Sequence, residues 1–179
     1  MFALRHILAV VAIAALAACS SASLDTVNVE GGLNVTDVVV SVAGDAATAE
    51  TVVAGRQAGI APGQFRADMR SELLSVLAEA SDPAGTPVTV QVTVNEVYLA
   101  PPVERVVAGT SYIRGAVQVT DQQGRTVVRP SAVRGNTENI RLAGAFGLAT
   151  TRSVQADYRG TLRGFAKTVR NALFGAPDA

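Results

Sequence analysis

The chain has 179 residues, of which 49% are hydrophobic and 17% charged, and its fifteen basic side chains balance fifteen acidic ones. No net field draws it to nucleic acid, and a single cysteine excludes an intrachain disulfide. His6 is the one histidine, tryptophan is absent and aromatics are 4%, so catalytic triads, His/Cys zinc sites, carbohydrate platforms and base-stacking surfaces have little to be built from.

Met1 to His6 is a short amino-terminal region with one firm cation, Arg5, and Ile7 to Leu16 is an unbroken apolar run. That run falls within the roughly 7–15 residues of a signal-peptide core and short of the ~20 that span a bilayer. Leu16-Ala17-Ala18-Cys19 follows directly and looks like a bacterial lipobox. The resemblance implies a diacylglyceryl group on the Cys19 sulfur, cleavage before Cys19 and further acylation with palmitate-type chains. Two or three such chains hold a protein at a bilayer where one does so only marginally. Ser20 after the cysteine, where Asp tends to retain lipoproteins at the inner membrane, points by analogy to the outer membrane. Two other outcomes stay open: ordinary cleavage after Ala17 or near Ser21-Ala22-Ser23, leaving a soluble periplasmic protein, and a retained anchor helix. The expected organisation is a signal peptide over 1–18, a lipidated tether over 19–33, one periplasmic domain over 34–175 and a tail over 176–179.

Val35 to Val42 is β-branched and predicts a first strand. Asp45 to Ala61 has no firm period and reads as loop, with a brief coil open over Ala46 to Val53. Pro62 to Ala80 predicts a helix, with Phe65, Met69, Leu73, Val76, Leu77 and Ala80 at helical spacing. Pro62 suits its first turn, and Ser81-Asp82-Pro83 stops it. Pro87 to Leu99 alternates Val88, Val90, Val92 and Val94 with polar residues, the pattern of a half-buried strand. The phase breaks at Asn95-Glu96, which predicts a bulge or a strand end. Thr110 to Thr120 alternates again, with Tyr112 out of phase with Ile113, Val117 and Val119. A turn through Gly124 then leads to a short strand over Thr126 to Arg129. Ser131 to Thr150 reads as a long connection. Ser153 to Phe174 predicts the second helix, with Val154, Tyr158, Leu162, Phe165, Val169, Ala172 and Leu173 on one face, Asp157 in the first turn and Gly175 at the stop.

The order β-α-β-β-β-α predicts an α+β two-layer sandwich: a sheet of about four strands, mixed or antiparallel, with both helices on one face. The hairpin reads Val117-Gln118-Val119-Thr120-Asp121-Gln122-Gln123-Gly124. With the lipobox in front, this pattern resembles the small envelope lipoproteins of proteobacteria. It is similar to the domains of transporter-auxiliary lipoproteins and to the periplasmic domain of the curli-secretion lipoprotein. The resemblance implies a lipid-anchored domain in the cell envelope and no particular activity.

Arg159, Arg163 and Arg170 fall close together on the second helix, with Lys167 nearby; they suit a solvated face or a patch on phospholipid head groups. Gly160 and Gly164 on that helix permit close approach to the sheet or to a partner. Leu142, Phe146 and Leu148 lie in a glycine-rich apolar stretch that either plugs the sheet or contacts a partner or lipid tail. Glu96, Glu104, Asp121 and Glu138 lie near strand ends without a catalytic pattern. The residues call for no metal and no cofactor. The expectation is a non-enzymatic binding or accessory protein of an envelope transport or assembly complex. It would be held to the membrane through Cys19, with an envelope protein as candidate partner and no nucleic acid. A lipid- or small-ligand carrier using the space between sheet and helices is the alternative, and a hydrolase with an unrecognised site is the third option.

Overall fold

A computed structural model describes residues 32–43, 53–55, 60–101, 110–137 and 153–176. The elements are β1 (Leu33–Val42), β2 (Val53–Gly55), α1 (Pro62–Ala78), β3 (Thr86–Leu99), β4 (Tyr112–Asp121), β5 (Thr126–Asn136) and α2 (Val154–Phe174). The sheet is mixed and open, in the order β1-β3-β4-β5. β1 pairs with β3 in parallel across the α1 crossover, while β3, β4 and β5 form an antiparallel meander. β2 is a short strand in a region expected to be loop, and it extends the β1 edge by pairing in parallel with Val97–Leu99.

Alternation decides which side is dry. Val88, Val90, Val92 and Val94 of β3, Ile113, Val117 and Val119 of β4 and Val133 of β5 all face one buried layer. Phe65, Met69, Leu73 and Leu77 of α1 and Tyr158, Leu162, Phe165, Val169 and Leu173 of α2 cover it. These are the apolar stripes expected from their spacing, so both helices lie on one face of the sheet. At about 25 cal/mol per Å² of apolar area removed from water, each such side chain contributes about 1.5–3 kcal/mol.

Among the register shifts of the sheet, those of β3 and β5 change how the strands are read. The β3–β4 register shifts between Val94 and Glu96, leaving Asn95 as an extra residue. Inward positions are therefore even-numbered before Asn95 and odd-numbered after it, with Val97 and Leu99 buried. The β4–β5 register shifts between Val117 and Val119, opposite Pro130. This corrects the expected short strand over Thr126 to Arg129: β5 continues through Pro130 to Asn136. Pro130 lies at the irregularity of a terminal strand, where no ladder bond is required of it.

One end of the fold is closed by a buried polar knot. Asp157 in the first turn of α2 is fully buried and accepts a 2.7 Å hydrogen bond from Ser111 Oγ. Ser111 Oγ in turn accepts from Ala100 N at 3.0 Å, and its carbonyl accepts from Thr137 N at 2.9 Å. Thr137 and Thr161 share a 2.7 Å hydroxyl bond. The knot joins the end of β3, the start of β4, the end of β5 and the start of α2. Ser153 caps α2 by accepting from Ala156 N at 3.1 Å, and Gly175, at φ 84°, ends it.

The closest approach between layers is at Gly135 of β5, whose missing Cβ leaves room for the Phe165 backbone. Gly164, expected to permit close approach, is buried on α2. Gly135→Ala drives a methyl into Phe165. It is expected to destabilise the domain by about 1–3 kcal/mol, seen as a lower Tm in thermal unfolding. Gly63 in α1 faces open space, with nothing within 4 Å of where a Cβ would sit, and Gly63→Ala is expected to be neutral or stabilising by about 0.4–1 kcal/mol.

Candidate functional site

Among the described residues, no helix lies over the opposite face of the sheet. Thr89, Gln91 and Thr93 of β3 and Arg114, Ala116 and Gln118 of β4 stand on it between the buried positions, and side-chain bonds knit it together. Gln91 donates to Thr120 Oγ1 at 3.2 Å, and Gln118 donates to Thr126 Oγ1 at 3.1 Å.

At one end this flat polar surface gives way to an aromatic and charged cluster. Because of the extra residue at Asn95, Glu96 and Tyr98 share the uncovered face with Tyr112 and Arg114 of β4 and Arg134 of β5. Tyr98 sits opposite Tyr112, and their rings stack at 5.3 Å with an interplanar angle of 30°. The Arg134 guanidinium lies 4.3 Å from the Tyr112 ring centroid and that of Arg114 lies 4.9 Å away. Glu96 accepts from Tyr112 Oη at 2.7 Å through one oxygen and from Arg114 at 3.2 Å through the other. Such ring pairs contribute ~0.5–1.5 kcal/mol, exposed cation–π contacts ~0.5–1 kcal/mol and exposed ion pairs ~0–1 kcal/mol. The cluster is ordered by several modest contacts rather than one strong one. The hydrogen bond to Glu96, and then partial burial, hold the Tyr112 phenol above its ordinary value despite the two nearby guanidiniums.

The sequence-predicted basic residues lie on the other layer. Arg159, Arg163 and Lys167 are exposed on the outer side of α2, and Arg170 is half-buried. Arg163 Nε donates to Glu72 of α1 at 2.8 Å, and Arg170 donates to Asn171 Oδ1 at 3.0 Å. Part of the stripe therefore holds the two helices together. So does Tyr158, whose hydroxyl donates to Asp68 at 3.1 Å and whose phenol is held far above its usual value, first by burial and then by that carboxylate. Cys19, Leu142, Phe146 and Leu148, like Glu104 and Glu138, lie outside the described residues. Asp121 is a turn residue: its carboxylate accepts from Gln123 N and Arg125 N at 2.9 Å and from Arg125 Nε at 2.6 Å. Burial pushes that carboxyl up, but these bonds outweigh burial and hold it below its ordinary value.

A groove of about 310 Å³ runs between Val38–Val40 of β1 and α1, but Arg70 crosses it. Arg70 Nε donates to the Val38 carbonyl at 2.9 Å, and its terminal nitrogen pairs with Asp37 at 2.7 Å. This hydrogen bond, followed by that from Val38 N, keeps the Asp37 carboxyl low. Among the described residues, no helix is long and apolar enough to cross a membrane, and no three His, Cys, Asp or Glu side chains gather to hold a metal.

Sequence reasoning placed Tyr112 out of phase with the buried positions of β4 but did not single out Tyr98, Arg114 or Arg134. The available signal was their shared polar phase: each sits on the outward side of its own strand.

Glu96→Gln removes the charge that holds the Tyr112 proton. One tyrosine is expected to titrate at lower pH in phenolate absorbance. The raised phenol contributes stability below its unfolded value, near 10, that is lost as pH rises through the folded value. Glu96→Gln is therefore also expected to flatten that alkaline loss.

No protein-family model and no curated protein sequence matches the chain. Among solved structures it is similar to a PelC variant dodecamer from Paraburkholderia phytofirmans, at 11% identity and a TM-score of 0.40, covering 82% of this chain and 89% of that one. It is also similar to a candidate lipoprotein from Caulobacter crescentus, at 14% identity and a TM-score of 0.31, covering 74% of this chain and 84% of that one. Neither superposition is close enough to carry a structural or functional argument.

Proposed function

We propose that the chain is a lipid-anchored, non-enzymatic accessory protein of the cell envelope that works by binding through the uncovered face of its sheet. The observation that carries the binding role is that this face bears the Tyr98–Tyr112–Arg134 cluster while the two described helices cover the other face. The anchor rests on Leu16-Ala17-Ala18-Cys19 at the end of a signal-type apolar run. It would place the domain on the periplasmic side, and the outer membrane is the favoured location from Ser20. The rival carrier reading needs room between the layers. Phe65, Met69, Leu73, Phe165 and Leu173 fill that space, and at Gly135 the layers touch backbone to backbone.

Mass spectrometry of the mature protein is expected to find an acylated Cys19 at the amino terminus. Cys19→Ala is expected to move the protein from the membrane to the soluble periplasmic fraction. A processed, unlipidated chain beginning at another residue would overturn the anchor. A photo-crosslinker at Ala116, in the middle of the open face, is expected to join the protein to one defined envelope component. Loss of that adduct on introducing Tyr112→Ala, with unchanged protein abundance, would tie it to the cluster. An adduct indifferent to Tyr112 would overturn the assignment of the binding face.

A further inference from the structure

The row across β3, β4 and β5 reads Glu96, Arg114, Arg134, with Arg114 directly opposite Glu96 on one side and Arg134 on the other. One carboxylate therefore faces two guanidiniums. Like charges directly opposite each other on a sheet face destabilise it. These two do not splay apart: both gather on the ring of Tyr112, at 4.9 and 4.3 Å. Both oxygens of Glu96 are engaged, by Tyr112 and by Arg114, and no carboxylate among the described residues pairs with Arg134. Departures from local sheet rules of this kind concentrate at functional or strained sites.

We propose that Arg114 and Arg134 form a paired-guanidinium site for a carboxylate carried on an acidic segment of a protein partner, laid across the open face above Tyr112. This rests on the reading of that face as the binding surface. The flat planes of two arginines suit a carboxylate, which can accept from both. The setting argues for a segment rather than a free ion. Exposed ion pairs alone hold little, so the carboxylate must arrive with backbone and side chains that also reach the neighbouring Thr and Gln rows. A membrane surface is the rival occupant and is one arm of the test.

The test uses the full chain purified from membranes in detergent, with a hexaglutamate peptide as probe at low ionic strength. Saturable binding is expected, weakened at least about fivefold by Arg134→Glu and by Arg114→Gln, since each removes a partner of a shared anion. Arg129→Glu, an exposed charge elsewhere on β5, is expected to leave binding unchanged. Without peptide, Arg134→Glu is expected to raise Tm by a few degrees, because Arg114 then faces an opposite charge; a purely structural role for Arg134 on Tyr112 predicts a fall. Absence of peptide binding, equal loss with Arg129→Glu, or a lowered Tm in Arg134→Glu would each overturn the proposal. So would equally tight, Arg134-dependent binding of inorganic phosphate, which indicates a free-anion site, or of phosphatidylglycerol vesicles, which indicates a lipid surface. Peptide binding does not require acylation, so failure of the anchor with binding intact separates the two readings.

Discussion

One extra residue in the central strand organises this protein. β3 is paired along both sides, and its alternation reverses at Asn95. Without the reversal, Glu96 and Tyr98 would point into the core and Val97 and Leu99 into water. With it, the strand buries valines along its first half and Val97 and Leu99 beyond the bulge, and it sets a carboxylate and a phenol on the open side. The same insertion that keeps the core apolar therefore builds the charged aromatic cluster on the reverse of the sheet. The two faces are consequences of one backbone event.

The two ends of the sandwich are held differently. At the start of β1, the fold is closed by turns: Gly32, Asp82 and Thr86 bond backbone to backbone, and the Asp121 carboxylate gathers the amides of the Asp121–Arg125 turn. At the other end, Asp157, Ser111, Thr137 and Thr161 gather hydroxyls and a carboxylate in the dry interior. Such a knot is costly unless its members are bonded, and here each one is. It fixes the start of α2 against three strand ends, so the tyrosine–arginine cluster next to it stands on a rigid base. Preorganisation of that kind lets modest surface contacts select a partner.

Most of the architecture was legible along the chain. The alternating valines of β3, the apolar stripes of the two helices and the phase break at Asn95 each state their own geometry, because solvent exposure follows a short period. What stayed hidden depended on neighbours. Pro130 looks like a terminator until its strand is seen to be the outermost one. Asp157 reads as a charge suited to a helix start, and its burial follows only once Ser111 and Thr137 arrive from distant strands. Tyr98, Arg114 and Arg134 each look like an ordinary outward residue. That they meet is decided by cross-strand register, which the β3–β4 and β4–β5 shifts set and which no single stretch of sequence displays. The glycine-rich run around Phe146 and the lipobox lie outside the described residues, so the structure adds nothing to them.

The margins of the sheet carry their own consequence. On the β1 side, Arg70 occupies the Val38 carbonyl, and on the β5 side Pro130 interrupts the strand between Arg129 and Arg134. Among the described residues, each border is thereby interrupted, which shortens the run of amides and carbonyls that a sibling molecule could pair with. Where local concentration is high, these interruptions work against copies of this protein stitching their sheets into ribbons. Broadside assembly meets no such interruption, and there the geometry is left to whatever covers the flat surface rather than to the polypeptide's own tendency to extend a ladder.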